Sequence, residues 1–200
     1  MNKGNNKEKI FQVAIKLFAQ KGYQNVSMRE IATEVDIKAS SIYNHYSRKE
    51  ALLDVIVDYF SNEIQKEIYQ AYDITEDIDA RAYIEKVIQT NDRFFHSPVN
   101  NDIGKIIFQE QFHNEKIQRV LLEELIQRPR TIYARHFEML MKRGHLRTMN
   151  PTMLAIEYHA YFIYRFYENS LTTDYSQIDF DKIKLEQDEH VRLFLENNSI

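Results

Sequence analysis

The chain has 200 residues, 44% hydrophobic and 28% charged, with a formal net charge of −4; that is long and apolar enough for a real core and excludes a disordered tail. No cysteine occurs, which excludes disulfides, a thiol nucleophile and Cys-ligated zinc, and four Gly with three Pro supply too few turn formers for a many-stranded sandwich or barrel. The charge is uneven: residues 1–50 carry nine Lys/Arg against five Asp/Glu, and the remainder 17 against 25, a basic head on an acidic body of the kind that suits a polyanion.

The elements predicted in chain order are all helices. Ile10, Val13, Ala14, Leu17 and Phe18 repeat at helical spacing, and Gly22 ends that helix. Ser27-Met28-Arg29-Glu30 has the form of a capping box, in which the serine oxygen takes an orphan N–H and the glutamate reaches back. It opens a short helix with Ile31, Ala32 and Val35 inward. Asp36-Ile37 leaves room only for a tight turn, and a third short helix follows over 38–46. Ser47-Arg48-Lys49-Glu50 reads as a second capping box, starting a long helix to about residue 72. Further helices are expected at 79–96, 102–112, 114–127, 130–143, 151–170 and 181–196. Their breaks fall at 97–101, Arg128-Pro129 and 142–145, and Asn150-Pro151 is a good start signal. No apolar run approaches the ~18 residues of a membrane span. Residues 1–7 lack the apolar core of a signal peptide, so the cytosol is the expected compartment.

Two short helices joined by a tight turn and bracketed by longer ones make a helix-turn-helix. Such a unit needs an apolar inner face, here Ile31, Ala32, Val35, Ile37 and Ile42. It also needs an outer face of short polar and flat aromatic groups, here Lys38, Ala39, Ser40, Ser41, Tyr43, Asn44 and His45. A plain helical hairpin with a solvated face would read similarly.

The run from Phe18 and Gly22-Tyr23 through Ile31-Ala32 to Ile42-Tyr43-Asn44-His45-Tyr46-Ser47-Arg48-Lys49-Glu50-Ala51-Leu52 resembles the TetR family of bacterial transcriptional regulators. The match covers about the first quarter of the chain. It implies an all-α homodimer whose N-terminal three-helix domain (residues 1–50) binds operator DNA and whose larger helical part (51–200) binds an effector and dimerises. Carried over residue by residue, the resemblance puts Tyr43, His45, Lys49, Ser27 and Ser41 at phosphates. It makes Lys38, Ala39, Ser40 and Asn44 the groove-facing base readers, and Arg29 a base or phosphate contact. Asn suits a bidentate contact with adenine and Lys a contact with guanine. Three positions depart from the family pattern. The turn has Asp36 in place of Gly, and Asp tolerates left-handed geometry. Lys38 and Ser40 replace smaller residues, which changes how closely the backbone can approach the groove.

Aromatic residues crowd the chain from Phe94 onward. They suit an apolar ligand cavity between helices, or equally a core and a dimer seam. The candidates for an effector pocket are Phe108, Phe112, Phe137, Tyr158 and Phe162. The helix over 151–170 is apolar nearly all round, which calls for burial on every side. With the last helix it is the expected dimer seam, through Met153, Tyr161, Phe162, Phe166, Val191, Phe194 and Leu195. Glu110-Gln111-Phe112-His113 has a metal-ligand spacing, but carboxylate di-iron bundles need a second copy, and none is found. No phosphate loop or catalytic triad can be argued, and no catalytic residue, metal ligand or cofactor is assigned. The expected function is a DNA-binding regulator, a repressor released from an inverted-repeat operator by a small, largely apolar effector, and not an enzyme. The alternatives are a helical-bundle carboxylate metalloenzyme and a helical protein-binding adaptor.

Overall fold

Helix α1 (Lys3–Lys21) buries Ile10, Ala14 and Phe18 completely, the large side chains of Ile10 and Phe18 contributing about 1.5–3 kcal/mol each. Gly22 closes it at φ 80°, its N–H bonded to the Phe18 carbonyl. This computed structural model describes residues 3–72, 78–171 and 179–200. Among them the architecture is all-α; no strand forms, only an isolated bridge between Leu146 and Ser199.

Helix α2 (Met28–Glu34) starts on Ser27, whose Oγ accepts the Glu30 N–H at 3.2 Å. The return half of the expected box is replaced: the Glu30 carboxylate meets the Lys21 ammonium at 2.6 Å. The turn forms as expected with Asp36 at φ 58°, and the Ile37 N–H reaches back to the Ala32 carbonyl. Helix α3 (Ala39–Ile42) is shorter than the predicted 38–46. Beyond Ile42 three-residue bonds appear, Asn44 to Ser41 and His45 to Ile42, the Ile42 carbonyl also accepting the Tyr46 N–H. Helix α4 (Lys49–Glu63) begins two residues after Ser47, with Arg48 as its N-cap and no side-chain cap, so the second capping box does not form. It runs on through a π-helical stretch, Ile64–Tyr69, to Tyr72.

Helices α5 (Ala80–Phe95) and α6 (Pro98–Glu110) follow. Pro98 opens α6 rather than extending a loop, because Ser97 caps it by accepting the Asn100 N–H and proline needs no donor in a first turn. Asn114 caps α7 (Glu115–Val120). A second π-helical stretch, Leu121–Gln127, leads directly into α8 (Arg128–Lys142). The break expected at Arg128-Pro129 is therefore a widened turn. Pro129 has no N–H for the Glu124 carbonyl five residues back, and that carbonyl accepts the Tyr69 hydroxyl instead. Asn150 caps α9 (Pro151–Leu171), accepting the N–H groups of Thr152 and Met153. Helix α10 (Phe180–Asn198) completes the chain.

The helices gather into two compact units, Met1–Lys66 with Arg93–Leu121 and Glu67–Asp92 with Leu122–Ile200. In the first, Ile31, Ile42, Leu52, Ile56 and Phe60 form a core completed by Ile103, Ile106 and Ile117. Lys116 of α7 ties to α4 through Asp58 at 2.7 Å and the Asp54 carbonyl at 3.1 Å. In the second, α8 packs along α9, and Tyr72, Tyr83, Tyr133, Phe137 and Tyr158 are buried together. There the Tyr133 hydroxyl donates to that of Tyr72 at 3.1 Å.

Candidate nucleic-acid interface

The inner face of α2 and α3 is buried through Ile31, Ala32 and Ile42, and that anchoring turns the opposite face of α3 outward. Lys38, Ala39, Ser40 and Asn44 are exposed, Tyr43 is 51% exposed, and Ser41 and His45 are half-buried beside them. Ser27 and Arg29 are exposed on the same head. Ser27 already uses its oxygen as an N-cap acceptor, which leaves its hydroxyl proton for an outside acceptor. Arg29, Lys38 and Arg48 are cations with no ion pair among the described residues. Lys21 differs: bonded to Glu30, it holds that carboxyl below its ordinary range.

Lys49 departs most from expectation. Its ammonium is turned inward, 2.8 Å from the Tyr23 carbonyl, 2.9 Å from that of Val26 and 3.4 Å from that of Gln24. It also lies 4.2 Å from the centre of the Tyr23 ring, a cation–π contact. The three N–H bonds of an ammonium are thus directed at the segment that precedes α2, so the expected phosphate contact by Lys49 is not the arrangement seen. Arg48, absent from the expected set, is the exposed cation at the start of α4. The basic pair Arg48-Lys49 is visible in the sequence, but which member faces outward depends on burial.

The remaining expected residues do not converge on one place. Phe108 is half-buried in the first unit, and Phe112 is 75% exposed in the turn after α6. Phe137, Tyr158 and Phe162 pack together in the second unit, with ring centres 5.6 and 5.1 Å apart. Of the seam residues, Met153 is 58% exposed, while Tyr161, Phe162 and Phe166 are half-buried. Val191, Phe194 and Leu195 turn into their own subunit, the Phe194 ring 5.2 Å from Tyr158. The amphipathic α10 spends its apolar stripe on that core. Glu110 ends α6 buried, and His113 lies exposed in the turn beyond, so the Glu-x-x-His pair does not share a helical face. Among the described residues no group of three or more His, Asp or Glu could hold a metal. Nor is any helix of theirs long and apolar enough to cross a membrane.

A capped, tight-turned helix pair presenting an uncompensated polar and basic face has the form of a helix-turn-helix DNA-binding unit. A family model described as bacterial regulatory proteins, tetR family, matches residues 10–56. Residues 10–56 are thus a DNA-binding head of the TetR type. It is 47% identical over 55 residues to the HTH-type regulator YuxN of Bacillus subtilis, an alignment covering 27% of this chain and only 19% of YuxN. It is 24% identical over 162 residues to the repressor KstR2 of Rhodococcus jostii, covering 78% and 75% of the two chains. The crystal structure of a TetR-family regulator from Mesorhizobium loti superposes with a TM-score of 0.70 over 100% of both chains at 19% identity, a likeness of fold.

Proposed function

We propose that the chain is a homodimeric repressor that binds an inverted-repeat operator in bacterial DNA and is released by a small, largely apolar effector. Residues 1–50 carry the DNA contacts, and 51–200 the effector site and dimer seam. The observation that carries this reading is the exposed outer face of α3, with Arg29, Lys38 and Arg48 around it and no carboxylate paired to any of them. One such helix reads too few base pairs for useful specificity, so two heads are needed, spaced by about one turn of DNA, ~34–36 Å. The place of action is the cytosol, where the chromosome lies.

Lys38, Ala39, Ser40 and Asn44 face the major groove in this reading, with Tyr43, His45, Ser41 and Ser27 on phosphates. Asn44→Ala is expected to cost about 1–3 kcal/mol at the operator and to relax selectivity at one base position. Selection from fragmented genomic DNA, repeated with the variant, measures both. Equal retention of random and genomic upstream fragments by the wild type overturns specific binding.

The geometry at the start of α4 divides two roles between neighbours. Arg48→Ala should leave stability within ~0.5 kcal/mol and lower the salt slope of DNA binding by about one. Lys49→Ala should deprive the Tyr23, Gln24 and Val26 carbonyls of their ammonium donor, destabilise the fold by about 1–3 kcal/mol and leave the salt slope unchanged. Denaturant melts and binding isotherms at several salt concentrations check the pair; an altered slope with an unaltered melt for Lys49→Ala reverses the assignment.

For the effector, the second unit offers an aromatic interior whose Tyr83 and Tyr158 hydroxyls are buried without partners. A ligand releases DNA only by favouring the non-binding state. An operator complex that no member of a broad metabolite panel dissociates would overturn this part.

A further inference from the structure

Arg130 and His159 stand out within the second unit as polar groups whose bonding capacity is unmet. His159, on α9, is 5% exposed and its Nδ1 has no hydrogen-bond partner. Its ring lies edge-on to Tyr133 of α8 at 5.5 Å. Arg130, one turn before Tyr133, is half-buried, and its Nε is shut off from solvent, also without a partner. No carboxylate pairs with its guanidinium among the described residues. Buried polar groups are nearly always satisfied, and a guanidinium is the group least easily left alone. Burial and the charge of Arg130 together push His159 down to about 4, so at neutral pH its imidazole is uncharged and can offer one N–H.

Two donors, one of them cationic, stand on the neighbouring helices α8 and α9, near enough for the Arg130 charge to act on His159, with the Tyr133 ring against His159. An anionic oxygen group satisfies both at once, as a charge-assisted bond from Arg130 and a neutral bond from His159. A second copy of the chain fits less well here. His159 precedes Ala160 by one residue, and one helical step of about 100° points it away from the solvent-exposed side of α9 and toward α8.

We infer that the seam between α8 and α9 is an anion subsite, in which Arg130 and His159 hold the carboxylate of an organic acid whose apolar body lies against Tyr133. The inference rests on the effector reading above and gives it a chemical class: an apolar carboxylic acid rather than a neutral or cationic compound.

The test follows the imidazole signals of histidine-labelled, full-length protein by NMR during titration with benzoate, with its neutral isostere benzamide and with inorganic phosphate. The expected result is a saturable shift of the His159 signal with benzoate in the millimolar range and no comparable shift with benzamide. Arg130→Gln should weaken benzoate at least about tenfold, the scale of one lost charge-assisted bond, and Arg130→Lys should recover part of the loss. Equal responses to benzoate and benzamide, no His159 response to benzoate, or an Arg130→Gln protein that responds like the wild type overturns the subsite. Phosphate matching benzoate overturns the organic body. An Arg130→Gln protein that sediments as a monomer, where the wild type is a dimer, assigns Arg130 to the subunit seam and also overturns it. Failure of the underlying effector reading shows separately, as an operator complex that no ligand of any charge dissociates.

Discussion

Ala160→Glu is expected to convert a dimer into monomers and to weaken operator binding by at least about 100-fold, toward the level of non-specific binding. Helix α9 buries Leu154, Ala155, Tyr158 and His159 in its own subunit. Its other side carries Met153, Glu157, Ala160, Tyr164, Tyr167 and Leu171, all exposed and spaced alternately by four and three residues. Tyr164 is 60% and Leu171 70% exposed. A stripe of that period is the form in which one helix packs against another, and Ala160 at its middle lets two backbones approach closely. The outer side of α10 is charged, through Lys184–Asp188 and the pairs of Arg192 with Glu189 and Glu196, with exposed Leu185 and Leu193 among them. An isologous contact along α9, rimmed by α10, fits an obligate dimer burying more than ~2,000 Å². Ala160 is solvent-exposed in the single chain, so glutamate there should change protomer stability by no more than ~0.5 kcal/mol. Sedimentation with and without DNA checks the assembly. A wild-type protein that is monomeric at micromolar concentration, or a variant that stays dimeric, refutes it.

The second large effect is on stability at low pH. His159 titrates at about 4 in the folded chain against an ordinary 6.5, because burial, and then the Arg130 charge, oppose its protonation. The unfolded chain therefore takes up a proton first as pH falls. The stability held by the neutral, buried ring is fully present above the ordinary value and is lost progressively between pH 6.5 and about 4. The loss amounts to about 3 kcal/mol from this residue. His190 is lowered in the same direction by burial and adds to the trend. Urea melts of the wild type and of His159→Phe at pH 7 and pH 4.5 isolate the contribution, since the other titrating groups are common to both. Parallel loss of stability in the two proteins would show that His159 is protonated in the fold without penalty.

Much of the DNA-binding head was legible in the sequence. The period of Ile10, Ala14 and Phe18, the Ser27 cap and the Gly22 stop are local signals, and each governs backbone within one turn of itself. Asp36 takes the left-handed conformation that its place between two helices demands. The outer face of α3 followed once Ile31, Ala32 and Ile42 were assigned inward. Reading failed at two caps: Glu30 leaves its capping box for a competing partner, Lys21, and Arg48 rather than Ser47 becomes the N-cap of α4.

The sequence by itself determined most of the helices, the helix-turn-helix and the TetR likeness of its head, because periodicity, caps and turn residues act over a few residues and leave their pattern in the chain. Only the tertiary structure decided which side chains face outward from helices apolar on more than one side. Lys49 turns onto three carbonyls and leaves Arg48 outside, a choice made by segments more than twenty residues apart. Val191, Phe194 and Leu195 fill their own subunit, and the outward stripe falls instead to Ala160, Tyr164, Tyr167 and Leu171. The physical reason is that burial is a property of packed pairs: a helix records how much apolar surface it has, and its neighbours settle where that surface goes.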